Sequence, residues 1–350
     1  MEKYVQDPSR FDHFYTYRTK IQGSNRSLLN YFLQSKERYS FYLISLVKAK
    51  ELKTKVAFIV NSKRKISSLA EKTLTLVRMQ ERLDCHFYNT ESKKHAITLA
   101  KECADKGFDC ILAVGGDGTA NEVINGLKLS KRTLGVYFGI IPNGSGNDFQ
   151  TVLESFEPEE FVEKLVSRQS NQMDIIKLTS QKGTYYAMNI AGIGFDGFVI
   201  NTLQNLRRKY KVSGKFAYVL SILTTFLVFK KATVKITGDH FNYNGKLLML
   251  CVCNGSTFGH GLTINPDANP FDEKLNVTIL GNVSFFDYVR KLSLLKSGKK
   301  VEHSEVHYFE AEKVSIQLEK RKMFSEVDGE IFDSGNITFE ILKGDISLIC

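Results

Sequence analysis

The apolar run Cys110–Val114 (CILAV) is followed at once by Gly115-Gly116-Asp117-Gly118-Thr119-Ala120-Asn121 and then by a helical pattern through Leu127. A strand that ends in glycines and turns into a helix leaves backbone N–H groups unshielded, and the helix N-terminus adds positive partial charge. Such a turn suits a phosphate, and with it a nucleotide. Asp117 stands where it can touch nucleotide, metal or an incoming hydroxyl. Glycine turns also end many parallel strands that hold no ligand, so a single turn of this kind does not decide the matter.

A second turn, Pro142-Asn143-Gly144-Ser145-Gly146-Asn147-Asp148-Phe149, follows another apolar run, Gly135–Ile141 (GVYFGII). Ligands of open parallel sheets bind beyond the carboxyl ends of the strands, so the two turns are expected to face one crevice. From Val56–Val60 (VAFIV) onward, strands alternate with helices expected near Ser68–Leu83 and Ser92–Lys106, the pattern of parallel βαβ units. Beyond a short helix at Glu159–Arg168 the texture changes. MDIIKL, TYYAMNI, TVKIT, LLMLCVC, LNVTIL, KVSIQL and ITFEIL are strand-like and joined mostly by turn residues, which points to an antiparallel second domain starting near Asn171.

GGDGTANEVINGL followed by PNGSGNDF resembles the diacylglycerol kinase catalytic family, in the soluble bacterial lipid kinase branch. The resemblance covers roughly Lys55 to Gly344. It implies an α/β N-terminal nucleotide-binding domain like that of phosphofructokinases and NAD kinases, and an all-β, sandwich-like C-terminal domain. The expected division is an extension at 1–54, a kinase domain at 55–170 completed by a C-terminal strand near 338–350, and a β-sandwich at 171–337. Within the extension, Leu29, Phe32, Tyr39, Tyr42, Leu43 and Leu46 could form one helical face, either packed on the body or serving as a membrane or partner arm.

Phosphoryl transfer from ATP to an alcohol needs a phosphate cradle, charge neutralisation and a carboxylate that takes the hydroxyl proton. The cradle is Gly115 to Asn121, with Ser145 offering a hydroxyl and an N–H from the second turn. Thr90 resembles a family nucleotide contact and could equally cap the helix after it. Asn61 matches the family's first loop, but Ser62-Lys63-Arg64-Lys65 replaces its proline and glycine turn; Lys63, Arg64 or Lys65 supplies charge there, or the loop is merely a solvated basic one. Glu326-Val327-Asp328-Gly329-Glu330 resembles the family's DGE turn, and the resemblance implies that Glu330 accepts the proton. Asp328 touches magnesium or orients the loop. The stretch Asn265–Leu275 resembles a loop that holds a structural Mg2+, which by match gives Asp272 with the carbonyls of Asn269 and Lys274; Glu273 stands where the family has glycine. Asp117 and Asp148 map onto a polar network that reaches this ion in the relatives.

A formal charge of +10 favours anionic partners, and beside these motifs it points to ATP and acidic lipid rather than nucleic acid. Arg207, Arg208, Lys209, Lys230 and Lys231 are the cations expected to meet a membrane surface. Phe216–Phe229 is too short to span a bilayer comfortably and reads as a buried or interfacial helix. No secretory signal is visible near Met1, and the six cysteines follow no framework spacing, so a cytoplasmic, peripherally membrane-associated protein is expected, with a homodimer possible. Cys251 and Cys253 read as core, and because VHYFEAEKVSIQL reads as strand, His303 and His307 are not expected to form a helical metal pair. The activity expected is transfer of the ATP γ-phosphoryl to a lipid hydroxyl, diacylglycerol giving phosphatidate. Alternatives are a sphingoid- or ceramide-type kinase, a kinase of a soluble acceptor, and a non-catalytic nucleotide- or lipid-binding regulator.

Overall fold

The computed structural model describes residues 53–132, 135–144, 146–153, 155–211, 214–259, 261–319, 323–331 and 335–350. The chain divides into two units, Met1–Leu52 and Lys53–Cys350, and the second is the one described. The extension expected at 1–54 thus lies, up to Leu52, outside the described residues.

The second unit opens with β1 (Thr54–Val60), α1 (Ser68–Arg78), β2 (Leu83–Asn89), α2 (His95–Asp105), β3 (Cys110–Gly115), α3 (Asp117–Leu129) and β4 (Tyr137–Pro142). These four strands pair in parallel in the order β2-β1-β3-β4. Each residue of β3 is buried, as expected of a central parallel strand covered on both faces. Alternate side chains feed two cores. Ile111 and Ala113 pack with Ala100, Ala120 and Ile124 of the helices, whereas Leu112 and Val114 pack on the other side with Leu74, Val77 and Leu165. Ser67 caps α1, its hydroxyl accepting from the Ala70 amide at 3.2 Å. The helix expected from Ser92 begins three residues later, at His95, behind a left-handed Lys94, and Thr90 does not cap it.

A 3-10 turn (Phe149–Thr151) and α4 (Pro158–Ser167, with proline in its first turn) lead into β5 (Asn171–Ser180), β6 (Gly183–Ala187) and β7 (Ile190–Gly194). Two helices follow, α5 (Phe195–Tyr210) and α6 (Gly214–Val228). The remainder is β8 (Ala232–Gly238), β9 (Asn242–Leu247), β10 (Met249–Cys253), β11 (Thr257–Phe258), β12 (Leu262–Thr263), β13 (Leu275–Leu280), α7 (Phe285–Lys296), β14 (Val306–Ala311), β15 (Lys313–Leu318), β16 (Ser325–Val327), β17 (Glu330–Ile331) and β18 (Ile337–Ile349).

A second sheet, β14-β13-β10-β7-β16-β17, is antiparallel throughout. One face of it packs against β5, β8, β15 and the first half of β18, with Leu250, Val252, Val277 and Val327 meeting Leu178, Val234, Val314 and Phe339. This is the β-sandwich. Its other face carries the alternate residues Met249, Cys251 and Cys253, which lie against Phe195, Val199, Ile222 and Tyr288 of α5, α6 and α7. The two cysteines are core residues, and His307 lies in β14.

One strand joins the lobes. The first half of β18 pairs with β15 and β5 in the sandwich; its register against β5 shifts between Leu342 and Ile346, and the second half runs parallel to β4. Gly344, at φ +52°, permits that bulge, and its amide donates to Asp174 Oδ1 at 2.7 Å.

Candidate active site

The two glycine turns meet backbone to backbone. A Cβ on Gly116 would stand 2.9 Å from the Gly144 Cα, and one on Gly144 would stand 2.5 Å from the Gly116 Cα, so neither position admits a side chain. Asp117 locks the pair: its carboxylate accepts from the amides of Asp148 at 3.0 Å and Phe149 at 3.1 Å. Burial raises its pKa, opposed by those two amides. Gly118 has open space where a side chain would be, which leaves the first turn of α3 accessible to an anion.

Above these turns opens a cavity of about 520 Å³. Gly116, Asp117, Gly118, Thr119, Gly144, Gly146 and Asp148 line one end of it, together with Asn61, Thr90, Lys63 and Arg64. Asn61 is oriented by donating from Nδ2 to Thr119 Oγ1 at 3.2 Å and by accepting at Oδ1 from the Lys63 amide at 3.1 Å. Thr90 is held by its amide on the Val60 carbonyl at 2.9 Å and by Ser62 Oγ on its own carbonyl. Gly115, Ala120 and Asn121 stand behind this wall. Ala120 belongs to the core, and Asn121 Nδ2 donates to the Tyr186 carbonyl at 2.9 Å and to Asp328 Oδ2 at 2.5 Å. Ser145 lies outside the described residues.

Asp328 forms a two-residue hairpin turn with Gly329 between β16 and β17, at φ +45° and +85°. Positive φ at both central residues is the type I′ signature that favours Asp-Gly. Its carboxylate accepts from four donors: Asn121 Nδ2 and the amides of Met188 (3.0 Å), Asn189 (3.2 Å) and Ile190 (3.0 Å). This joins the hairpin to α3 and to the start of β7. Burial pushes the carboxyl up to about 7 despite those amides. The Glu330 backbone opens β17 opposite Val327, and its side chain lies outside the described residues.

Asp148 Oδ1 accepts from the Gly261 amide at 2.9 Å, closing the second turn against the second lobe. Asp272 is elsewhere and lines no part of the cavity. Its Oδ1 accepts from the Lys274 amide at 3.2 Å, Asn269 Oδ1 accepts from the Phe271 amide at 3.1 Å, and Lys274 Nζ pairs with Glu310 at 2.7 Å. Glu273 takes φ +63°, so the backbone keeps the conformation that glycine would favour, and its amide donates to Asp174 Oδ2 at 2.7 Å. Among the described residues no three His, Cys, Asp or Glu side chains cluster as a metal site.

At its far end the cavity changes character. Phe195, Val199 and Leu203 of α5, Ile222 of α6, Met249 and Tyr288 make an apolar wall, interrupted by Asp196 and Glu326. Glu326 heads the stretch that resembles the DGE turn, but that resemblance gives it no role, and the sequence reading gives none to Asp196. A cue to the latter is Gly192 in mid-strand, where a Cβ would overlap Asp196 Oδ2.

Residues 55–178 match the model of the diacylglycerol kinase catalytic domain, and residues 189–350 match that of the YegS C-terminal NAD kinase beta sandwich-like domain. Curated relatives include "Putative lipid kinase SAS0691" of Staphylococcus aureus (strain MSSA476) and "Putative lipid kinase MW0688" of strain MW2, each 28% identical over 269 residues, covering 74% of this chain and 84% of the relative. Among solved structures, "Crystal structure of a putative diacylglycerol kinase from Bacillus anthracis str. Sterne" aligns with a TM-score of 0.64 at 23% identity, over 85% of this chain and 96% of that one. A further Bacillus anthracis structure, "A putative diacylglycerol kinase", gives 0.62 over 97% of its length. With an α/β domain that ends its strands in two touching glycine turns, and a β-sandwich behind it, the chain belongs to the diacylglycerol kinase catalytic family and is a lipid kinase, a phosphotransferase that uses ATP.

Proposed function

We propose that the protein transfers the γ-phosphoryl group of ATP to the hydroxyl of diacylglycerol, giving phosphatidate and ADP. The observation that carries this reading is the continuity of one cavity, from the glycine turns of α3 and β4 to the apolar wall of α5 and α6. Phosphates at one end and acyl chains at the other bring a lipid hydroxyl between them. The oxygen attacks the γ-phosphorus in line, the bond to the β,γ-bridging oxygen breaks, and Glu330 takes the hydroxyl proton. Lys63 and Arg64 offset charge on the phosphates. The test is incubation with labelled ATP and a panel of diacylglycerol, monoacylglycerol, ceramide, sphingosine and NAD; label on a sphingoid base or on NAD alone rejects the assignment, and nucleotide binding without turnover favours a regulator.

Mg2+ is proposed as the companion ion of the nucleotide and as a structural ion at Asp272. The donor chemistry suits a hard cation there: burial raises the Asp272 pKa, the Asp174 charge raises it further, and main-chain carbonyls of Asn269 and Lys274 are the matched co-ligands. Bound to the folded state alone, such an ion adds stability by linkage. Wild type is expected to melt several degrees higher in millimolar Mg2+ without ATP, and Asp272→Ala is expected to lose that shift. Superimposable titrations of the two proteins reject the site.

Reaching a membrane-borne acceptor calls for peripheral contact, since among the described residues no helix is long and apolar enough to cross a bilayer. Phe216, Val219, Leu223 and Leu227 recur at three- and four-residue spacing on the outer face of α6, with Phe216 71% and Leu227 86% exposed, while Ala217, Ser221 and Thr225 are buried beneath. Phe286, 80% exposed, lies in the first turn of α7, and Arg207, Arg208 and Lys209 are exposed in the last turn of α5. Lys231 is engaged with Asn282 Oδ1 at 2.9 Å. An apolar stripe rimmed by cations fits an anionic interface, each cation contributing about 1 kcal/mol within a screening length of roughly 8 Å. Co-sedimentation is expected to rise with phosphatidylglycerol content, to fall with salt, and to drop at least about tenfold in Phe216→Glu/Leu227→Glu. Binding indifferent to lipid charge and to both substitutions overturns this surface.

A further inference from the structure

At the acceptor end, Asp196 lies in the first turn of α5 and is only 7% exposed. Its Oδ1 accepts from the Gly197 amide at 2.8 Å, and its Oδ2 has no hydrogen-bond partner. The place is built for it. Cys251, Gly192 and Glu326 stand opposite one another on the adjacent strands β10, β7 and β16, so they share one face and one row of the sheet. The absent side chain of Gly192 is the space that the Asp196 carboxyl fills, between the cysteine and the glutamate. Phe195, Val199, Ile222 and Met249 enclose the rest. A buried polar atom left without a partner costs stability, and the residue that carries this one lines the cavity that an acceptor must enter.

We propose that the protonated form of Asp196 donates a hydrogen bond from Oδ2–H to an acyl carbonyl of the lipid acceptor, making it a specificity-determining residue for acylated substrates; the inference rests on the lipid kinase reading of the same cavity. Diacylglycerol has one hydroxyl, which is the reacting group, and otherwise presents ester oxygens that only accept. A carboxylate would repel them. The carboxylic acid supplies the complementary donor, and with Oδ1 already occupied by an amide the proton belongs on Oδ2.

The surroundings favour that protonation state. Burial raises the Asp196 carboxyl to about 7, against the pull of the Gly197 amide. The titratable groups around it are Glu326 of β16, Cys251 and Cys253 of β10, Tyr218 of α6 and Tyr288 of α7; none is cationic. Phosphates at the other end of the cavity would disfavour the anion further.

The test compares matched 1,2-diacylglycerol and 1,2-dialkylglycerol as acceptors across neutral pH, because the diether has no carbonyl. Wild type is expected to prefer the diester in kcat/KM by about tenfold below pH 7, with the preference carried by KM. The donor is present below the pKa and lost above it, so the preference shrinks as pH rises through about 7. Asp196→Asn, which keeps a donor that does not titrate, is expected to hold the preference at every pH. Asp196→Ala is expected to treat diester and diether alike. Equal wild-type use of the two lipids overturns the proposal, as does a preference that survives in Asp196→Ala or a titration that persists in Asp196→Asn. Preference for a long-chain amino alcohol that strengthens above pH 7 overturns it too, since that would make Asp196 a carboxylate for an amine. Failure to phosphorylate any lipid, with ATP still bound, defeats the lipid kinase reading first and this inference with it.

Discussion

Replacing Glu330 by Gln is expected to cut turnover by about 100- to 10,000-fold while leaving ATP affinity nearly unchanged, the signature of a lost general base. Glutamine preserves shape and a hydrogen-bonding oxygen but cannot take the proton of the attacking hydroxyl. The backbone at position 330 is fixed by the turn before it. Asp328, two residues earlier, is held by four donors against α3 and β7, and the type I′ turn pairs Glu330 with Val327. Glu326→Gln is the informative control, because Glu326 is a buried carboxylate that also lines the cavity, its Oε2 accepting from the Gly329 amide at 2.8 Å. Steady-state kinetics with both substrates saturating decide between them. A loss below about tenfold in Glu330→Gln, with a larger one in Glu326→Gln, moves the base to Glu326.

What could be seen in the sequence is what local pattern encodes. β3 and β4 are runs of buried apolar residues ended by glycine turns, and both elements and the helix after the first turn lie where that pattern puts them. The convergence of the turns also followed, because parallel strands deliver their carboxyl ends to one edge. The helix after Thr90 starts later than its polar residues suggest, because Lys94 takes a left-handed turn that propensity does not reveal. Long-range arrangements were less legible. Asn121 belongs to the glycine motif, yet its side chain reaches Tyr186 and Asp328, partners 65 and 207 residues away. Asp196 and Glu326 become neighbours only through the register of β7 with β16, and the unpartnered Oδ2 is a property of packing, invisible to any spacing rule. The acceptor half of the cavity is therefore where the structure adds most.

The largest stability effect is expected at Asp328. In Asp328→Ala, the amides of Met188, Asn189 and Ile190 lose their acceptor and Asn121 Nδ2 keeps only the Tyr186 carbonyl, all at the junction of α3, β7 and the β16–β17 hairpin. Each buried donor left unpaired costs about 1–3 kcal/mol, so the total is on the order of 4 kcal/mol or more, a large share of the roughly 5–15 kcal/mol that holds a domain folded. Asp328→Asn is a milder test with a definite asymmetry. Its amide oxygen can still accept from two donors, while its NH2 faces the other two, so about 2–4 kcal/mol is expected. Gly329 is untouched, but position 328 is itself at φ +45°, so part of the loss in Asp328→Ala comes from the turn, whereas asparagine tolerates that conformation and the loss in Asp328→Asn comes from the carboxylate. Urea unfolding followed by circular dichroism measures both. Midpoints within about 1 kcal/mol of wild type, after correction by a common slope, would mean that the four bonds form and dissolve without holding the lobes together. If the losses appear as stated, activity in Asp328→Asn should fall as well, because the hairpin it releases is the one that positions Glu330. That fall should be partly recovered by saturating ATP, if nucleotide on the α3 side of the cavity re-forms the junction by mass action.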